Sequence, residues 1–137
     1  MDKKPIGYYK KKAVRLLSEY VRRKYADKLG TARCYTCGNA NHWKSLQCGH
    51  AIPGRHNAVL LDEEICRPQC HICNILRHGN LHLFVTKLSI ENGEAWWLTK
   101  LADSNRPVKV RRADYEAIIE DLEKKIEQLN EVEDEEL

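Results

Sequence analysis

Two Cys-X-X-Cys motifs place the strongest constraint on how this chain can fold. Cys34 and Cys37 form the first motif, Cys70 and Cys73 form the second, and residues 38–69 lie between them. Each motif can present two thiolates to one metal ion, and two motifs complete the tetrahedral four-cysteine site that zinc prefers. A disulfide or a redox-active pair is the alternative. Because protein atoms fill all four positions, we predict a structural zinc that takes no part in catalysis.

The size and composition of the chain favour a small domain that a metal helps to hold together. It has 137 residues, with only one Phe and three Trp to build a core. No segment approaches the roughly 20 apolar residues that span a bilayer, and no apolar stretch of a secretory signal follows the basic start. We therefore predict a cytoplasmic protein. In that compartment disulfides are rare, so Cys48 and Cys66 are predicted to be small buried side chains, with a role as additional ligands as the alternative.

Charge is distributed unevenly along the sequence. Residues 114–137 contain eleven acidic and two basic side chains, a net charge of −9. Since the whole chain has a net charge of +3, residues 1–113 have a net charge of +12. A basic body is typical of proteins that bind a polyanion such as DNA, and a segregated solvated surface is the alternative. The candidate phosphate contacts are Arg22, Arg23 and Lys24 on the first predicted helix and Arg55 and Arg67 near the cysteines.

Hydrophobic periodicity and turn residues divide the chain into three predicted segments. Residues 1–30 form a basic N-terminal helix, and residues 31–103 form a metal-binding core of short strands and helices. Residues 104–137 form a linker, a long helix and an acidic tail. The sequence therefore predicts an α+β fold, in which helices flank a small zinc-stapled core.

Three helices are predicted before the linker. The first covers Tyr9–Lys28 and stops at Gly30, the second covers Leu81–Ile90 after a cap at Asn80, and the third covers Glu94–Ala102. Four apolar side chains of the third helix are predicted to face the core: Trp96, Trp97, Leu98 and Leu101.

Asp114 is predicted to cap the long C-terminal helix. The apolar side chains of this helix alternate in steps of four and three, which is a heptad pattern. They are Tyr115, Ile119, Leu122, Ile126 and Leu129. Such a seam packs either against the helix's own domain or against a second copy in a homodimer, and the sequence leaves both alternatives open.

His50 and Asn74 are the candidate catalytic residues. His50 lies between the two cysteine motifs, and Asn74 directly follows the last cysteine. A His at the end of one strand, then a second strand, then a helix that opens with an oxygen ligand, is the arrangement of the ββα-metal (HNH) nucleases. The imidazole acts there as general base for an attacking water, and Mg²⁺ or Mn²⁺ with oxygen ligands stabilises the leaving oxygen. The alternative is that His50 only holds the fold together and Asn74 caps a helix.

The residues around this site resemble the NinG/Rap recombination proteins of lambdoid phages. The resemblance is carried by Trp43, Gly49-His50, Leu60, the run from Gln69 to Asn74, and Gly79-Asn80. The layout is also similar to the zinc-containing endonuclease VII of T-even phages, in which the histidine is the base and the asparagine binds the metal. The resemblance implies a nuclease that cuts Holliday junctions or other branched DNA in phage recombination. A catalytically inactive, zinc-stapled DNA-binding module is the alternative.

Two positions depart from the endonuclease VII pattern. The Asp that precedes the catalytic His there, as a second metal ligand, is Gly49 here. The candidates for a replacement ligand are His56, Asp62 and His78. The middle Asn of the HNH motif, which orients the catalytic His, falls at Ile65, and Asn57 in the preceding loop is its candidate substitute.

Overall fold

A computed structural model describes residues 3–53 and 58–135 of the chain, with side chains described as far as residue 133. Four α-helices and two small antiparallel sheets lie in this part. The helices are α1 (Ile6–Lys24), α2 (Leu81–Asn92), α3 (Glu94–Ser104) and α4 (Arg112–Glu135). The strands are β1 (Thr31–Arg33), β2 (Ala40–His42), β3 (Gln47–His50) and β4 (Cys66–Gln69). The predicted mixed class, helices with small sheets, is confirmed.

The first helix starts and ends earlier than predicted. α1 begins directly after Pro5 and ends at Lys24 rather than Lys28. Its buried side chains recur at helical spacing: Ala13, Leu16, Leu17 and Val21. The sequence after Lys24 forms a turn because the carboxylate of Asp27 accepts the amides of Leu29 and Thr31, each at 2.9 Å. Aspartate favours such local turns over helix, which explains the early end.

The heptad seam of α4 packs against α1 of the same chain. Its first four residues are buried, and Leu129 is half-buried. The two helices run in the same direction, since Lys12 pairs with Glu123 at 3.6 Å and Arg23 pairs with Glu133 at 3.0 Å. A homodimer through this seam would require α4 to leave α1. Of the two alternatives for this seam, the structure therefore shows packing against the helix's own domain.

The start of α4 differs slightly from the prediction. The helix begins at Arg112, and Asp114 lies within its first turn. The carboxylate of Asp114 accepts the backbone amide of Arg111 at 2.9 Å, which satisfies a donor at the helix start. Asp114 therefore reaches back to cap the helix from inside rather than from the residue before it.

The helical hairpin formed by α2 and α3 turns at Gly93, whose φ of 97° suits glycine. α3 packs mainly against α2, so only one of its faces is covered. Trp97 is buried and Trp96 is half-buried, as predicted, but Leu98 is 56% exposed and Leu101 is 37% exposed. The prediction that all four face the core was therefore wrong for the two leucines, because within the described residues α3 packs mainly against α2 and leaves its other side exposed.

The sheet formed by β3 and β4 determines which side chains can meet. Its register pairs Gln47 with Gln69 and His50 with Cys66. Because side chains alternate between faces along a strand, Cys48, His50 and Cys66 lie on one face. Gln47, Gly49 and Gln69 lie on the other face. His50, the candidate catalytic residue, and Gly49, where the endonuclease VII pattern has an aspartate, therefore lie on opposite faces of the sheet.

One hydrophobic core joins the three segments predicted from the sequence. It contains buried side chains from α1, α2, α3, α4 and the β3–β4 region. Phe84 on α2 and Leu17 on α1 are among its largest fully buried members. No helix in the described part combines the length and apolar character needed to cross a membrane.

Candidate functional site

The four cysteines of the two motifs form one cluster, as the spacing predicted. All four sulfur atoms lie within 4.8 Å of one another. The Sγ atoms of Cys37 and Cys70, which come from different motifs, are 3.7 Å apart. Tetrahedral zinc with bonds of about 2.3 Å to sulfur implies sulfur separations of about 3.8 Å. The donor set and its dimensions therefore fit a zinc ion, and Cys34, Cys37, Cys70 and Cys73 are the residues that would hold it.

Several N–H groups point at these sulfur atoms. The amide of Cys37 lies 3.5 Å from the sulfur of Cys34, and the amide of Cys73 lies 3.4 Å from the sulfur of Cys70. The side-chain amide of Asn80 donates to the sulfur of Cys73 at 3.7 Å. Asn80 was predicted to cap α2, but it makes no side-chain cap bond and adopts a left-handed backbone, with φ 48°. The hydrogen bond from Asn80 to the sulfur of Cys73 is of the kind that stabilises a metal-bound thiolate.

The acidity of these thiols differs strongly from one position to the next. Burial alone would raise the pKa of Cys34, but hydrogen bonds from Thr36 and backbone amides outweigh burial and lower it to about 6. A backbone hydrogen bond at Asn39 acts to lower the pKa of Cys37, but burial and the neighbouring thiols raise it to about 12. One thiolate forms readily and then opposes ionisation of the next. A divalent cation would relieve that repulsion.

A second group forms on one face of the β3–β4 sheet. The ligand atoms of Cys48, His50 and Cys66 lie within 4.8 Å of one another, close enough to share a metal ion. Cys66 is fully buried, as predicted, whereas Cys48 is half-buried. The sequence reasoning did not anticipate that both cysteines meet His50. The spacing of Cys48 and His50 by two residues within a strand was the available signal, since it places them on one face.

His50 is held by the backbone. Its Nε2 atom lies 3.1 Å from the carbonyl oxygen of Leu60. Burial lowers the pKa of His50 below its ordinary value, although backbone hydrogen bonds to Leu60 and Cys48 act against burial. The imidazole is therefore neutral near pH 7 and has a single N–H, which we assign to Nε2 from the Leu60 contact. Ile65, which stands at the position of the middle Asn of the HNH motif, is fully buried in the core, and the ring of His50 instead bonds the backbone carbonyl of Leu60.

The side chain of Asn74 bonds Gln47, and no described contact joins it to His50. Asn74 belongs to a single π-helical turn, Ile72–Leu76, and its Nδ2 donates to Oε1 of Gln47 at 2.8 Å. The Nε2 of Gln47 lies 3.1 Å from Nδ1 of His71. Gln47 and His50 are three positions apart in β3 and so face opposite ways. The described contacts therefore do not bring Asn74 to His50, and they leave Oδ1 of Asn74 as its candidate metal-binding atom.

Gly49 lacks room for the aspartate of the endonuclease VII pattern. A Cβ atom at Gly49 would lie 2.0 Å from Oε1 of Gln69. Gln69 is fully buried, and its Nε2 donates to Oγ1 of Thr36 at 3.1 Å and to the carbonyl of Gly79 at 2.8 Å. Its Oε1 has no hydrogen-bond partner among the described residues. The side chain of Gln69 therefore occupies the space where a second ligand from position 49 would begin.

The other candidates for a second catalytic ligand do not join Asn74 in the described part. Asp62 accepts the ammonium of Lys100 at 2.6 Å and the amide of Glu64 at 3.0 Å, so its carboxylate is already paired. His78 is exposed and adopts a left-handed backbone, with φ 50°. His56, the remaining candidate ligand, lies outside the described residues, and so do Arg55, a predicted DNA contact, and Asn57, the candidate substitute for the middle Asn. Asn74 is thus a predicted ligand of a catalytic cation whose Oδ1 the described contacts leave available.

The family relationship rests on nearly the whole chain. The family model described as "Bacteriophage Lambda NinG protein" matches residues 1–133. The chain belongs to the NinG family. Comparisons with curated proteins and with solved structures gave no match. The match includes α1 and nearly all of α4, so the two helices that pack together around the cysteine core belong to the NinG unit.

In this NinG family member, two of the predicted DNA contacts are committed to the fold. The guanidinium of Arg22 lies 3.3 Å from the carbonyl of Trp43 and also bonds Ser18. The side chain of Arg23 is 8% exposed and pairs with Glu133. Both guanidinium groups lie over the Trp43 ring, at 5.3 and 5.4 Å from its centroid. These arginines join α1 to its neighbours, so their charges have partners before any DNA arrives.

Of the other predicted DNA contacts, the structure describes Arg67 and Lys24. Arg67 donates to the carbonyl oxygens of Cys66 at 2.8 Å and Glu64 at 3.1 Å. Its guanidinium stacks over the rings of Tyr25 and Tyr35. Lys24 is exposed, and its ammonium lies 5.5 Å from the centre of the Tyr25 ring. Lys24 is therefore accessible to a partner, whereas Arg67 is largely committed to its own neighbours.

Proposed function

We propose that this chain is a metal-dependent HNH-type endonuclease that cuts branched DNA, such as Holliday junctions, in phage recombination. The observation that carries the proposal is the state of His50. It is a neutral imidazole at the end of β3, oriented by the Leu60 carbonyl, and a neutral imidazole is the form that can accept a proton. Membership of the NinG family supports the recombination setting.

The chemistry is hydrolysis of one phosphodiester bond. The nitrogen of His50 that is not bonded to Leu60 takes a proton from water as the water oxygen attacks phosphorus. The bond from phosphorus to the leaving oxygen breaks, and that oxygen takes a proton from solvent. A bound Mg²⁺ or Mn²⁺ would stabilise the charge on the phosphate and the leaving oxygen. Asn74 is the described residue that would hold such a cation, and His56 is the further candidate. Because no described contact joins Asn74 to His50, the substrate phosphate would have to bridge the cation and the base.

The zinc cluster has a structural role in this proposal. Its four sulfur ligands close the segment between the two motifs, and β3 and β4 both lie within that segment. A four-thiolate zinc has no open coordination position for water or substrate. The zinc therefore holds the sheet that carries His50, and it does not take part in cleavage.

The test is cleavage of a labelled four-way junction and of a duplex with the same arm sequence, each with and without Mg²⁺ or Mn²⁺. We expect cuts near the branch of the junction only when the divalent metal is present. His50→Ala should lower the cleavage rate by about 100-fold or more, the usual contribution of a general base. Asn74→Ala should raise the concentration of Mg²⁺ required.

The matched control is His82→Ala, because His82 is an exposed histidine on α2, away from the β3–β4 sheet. This variant should cut the junction at the wild-type rate and retain its zinc. A His50→Ala protein that cuts as fast as the wild type would remove His50 from the base role. Absence of cutting by the wild type on every branched substrate would remove the nuclease proposal.

One observation favours the alternative, a zinc-stapled DNA-binding module without catalysis. If Cys48, His50 and Cys66 hold a second zinc, then His50 is a ligand and cannot serve as the base. Metal analysis separates the two functions. One zinc per chain with cleavage supports the endonuclease, whereas two zinc ions per chain, falling to one in His50→Ala, with DNA binding but no cleavage, support the module.

A further inference from the structure

A cleft runs along the first half of α1 and ends at the loop that holds His50. Its walls come from one stripe of α1 and from Leu60, and its volume is about 470 Å³. The stripe consists of Gly7, Lys10, Lys11, Val14 and Arg15, which recur at the spacing of one helix face. Leu60 is the residue whose carbonyl bonds Nε2 of His50. The cleft therefore leads toward the candidate catalytic histidine.

The charge of this cleft differs from that of three other clefts in the described part. Three cations and no carboxylate line it. The cleft around Lys24 and Arg67 also contains Asp27, and Arg67 lies 3.9 Å from Glu91. Two further clefts are lined by three or more carboxylates each. Of these four clefts, the cleft beside Leu60 is the one lined by cations and by no carboxylate.

Two of the three cations in the cleft are open to solvent. Lys11 and Arg15 are exposed, and neither forms an ion pair with a described residue. Lys12, on a neighbouring face of α1, instead pairs with Glu123 of α4. A cation without a protein partner keeps its full attraction for an incoming anion. The charges of Lys11 and Arg15 are therefore available to a ligand.

We propose that this cleft binds the phosphate backbone of DNA and directs one strand toward His50. The proposal rests on the nuclease function proposed above and adds the path of the substrate. From Gly7 to Arg15 the helix rises by about 12 Å, at about 1.5 Å per residue. One strand of duplex DNA carries a phosphate about every 3.4 Å along the axis, so the stripe can reach two or three successive phosphates.

Nucleic acid suits this surface better than an acidic protein does. The cations follow one another along a helix face, as phosphates follow one another along a strand, and Val14 and Leu60 provide an apolar floor between them. Gly7 has open space where a side chain would project, so a strand can approach the backbone there. The adjacency of Leu60 to His50 gives a reason for a phosphodiester, in particular, to enter.

The test is the salt dependence of duplex and junction DNA binding, measured by fluorescence anisotropy without added divalent metal, so that no cutting occurs. Replacing Lys11 and Arg15 together, as Lys11→Gln with Arg15→Gln, should flatten the slope of log affinity against log salt by about 1.8, at about 0.9 per lost phosphate contact. The same relation predicts an affinity about 10- to 30-fold weaker at about 0.15 M salt. The matched control is Lys28→Gln with Lys124→Gln, which removes the same charge from exposed positions outside the cleft.

An unchanged slope in the Lys11 and Arg15 variant would overturn the proposal, and so would an equal loss in the control. Wild-type protein that binds polyglutamate or vesicles of anionic lipid but no DNA would overturn it as well. The two proposals fail separately. Normal cleavage with an unchanged slope removes the cleft and keeps the nuclease, whereas a flattened slope with no cleavage by the wild type keeps the cleft and removes the nuclease.

Discussion

The two cysteine groups of this protein show how the same side chain takes on different chemistry. In the four-cysteine cluster, backbone and side-chain N–H groups point at sulfur. In the sheet group, the thiol of Cys66 points at the carbonyl oxygen of Asp62, 3.3 Å away. A hydrogen bond with Cys48 and burial both raise the pKa of Cys66. Donors aimed at sulfur favour the thiolate that binds metal, whereas an acceptor beside sulfur favours the neutral thiol.

The largest difference between the two groups should appear when one cysteine is removed from each. Cys34→Ser or Cys70→Ser should lose the zinc and unfold the protein. A structural zinc contributes about 10–16 kcal/mol of binding energy, which matches or exceeds the whole stability of a small domain. Cys48→Ser is the matched control and should stay folded with its zinc. Metal analysis and circular dichroism would measure both, and a folded Cys70→Ser protein without zinc would contradict the structural role.

A second experiment tests the packing on the face of the β3–β4 sheet that carries Gly49 and Gln69. Gly49→Ala should destabilise the protein by about 1–3 kcal/mol, the usual cost of overpacking, because the new Cβ would overlap Oε1 of Gln69. In a Gln69→Ala background the same substitution should cost much less. Urea unfolding of the four proteins measures this coupling. An equal cost of Gly49→Ala in both backgrounds would show that Gln69 does not fill the space above Gly49.

A smaller effect is expected for the buried thiol of the sheet group. Cys66→Ala should lower the free energy of unfolding by about 1–2 kcal/mol, because it leaves a small cavity in the core. The zinc content should not change if this group is a neutral packing cluster. A drop of one zinc ion per chain would show instead that Cys66 is a metal ligand, and the contrast between the two groups would disappear.

The smallest effect concerns the pH dependence of cleavage. The pKa of His50 lies below its ordinary value of about 6.5, so the proposed base stays unprotonated down to that pH. We expect kcat/KM to stay level from about pH 8 to about pH 6.5 and to fall only at lower pH, where His50 gains a proton. Zinc content measured at each pH separates this loss from release of zinc. A decline that begins above pH 7 would contradict the lowered pKa.

The same shift has a consequence for stability. Because the folded pKa of His50 is depressed, the unfolded chain takes up this proton at a higher pH than the folded chain does. The contribution of neutral His50 to stability is therefore present above about pH 6.5 and is lost as the pH falls through the folded pKa. Comparing urea midpoints of wild type and His50→Gln over this range, at constant zinc content, would detect it.

Local sequence chemistry predicted the features that depend on a few neighbouring residues. The zinc cysteines follow from two motifs whose ligand geometry is built into their spacing. The helix α2 and the turn at Gly93 follow from periodicity and from glycine. In each case the determining partners are close in sequence or share one metal.

The features that sequence reasoning missed depend on partners far away in the chain. Arg22 and Arg23 have the composition of a phosphate-binding surface, but their partners are Trp43 and Glu133, which periodicity cannot connect to α1. The heptad of α4 gave no indication that its partner is α1. The exclusion of a side chain at Gly49 depends on the rotamer of Gln69 across the sheet. The sequence alone does not distinguish a charged side chain that is paired within the fold from one that is free to bind a ligand.

The parallel packing of α1 against α4 also bears on how the protein is made. The hydrogen bond between Arg23 of α1 and Asn130 of α4 joins residues 107 positions apart. The four strands and the other two α-helices lie between these helices in the sequence. A nascent chain leaving the ribosome cannot complete the burial of the apolar face of α1 until α4 has emerged. The zinc loop, whose ligands lie between Cys34 and Cys73, can close much earlier. Zinc binding during translation would then give α1 a folded surface to pack against, which would limit aggregation of the unfinished chain.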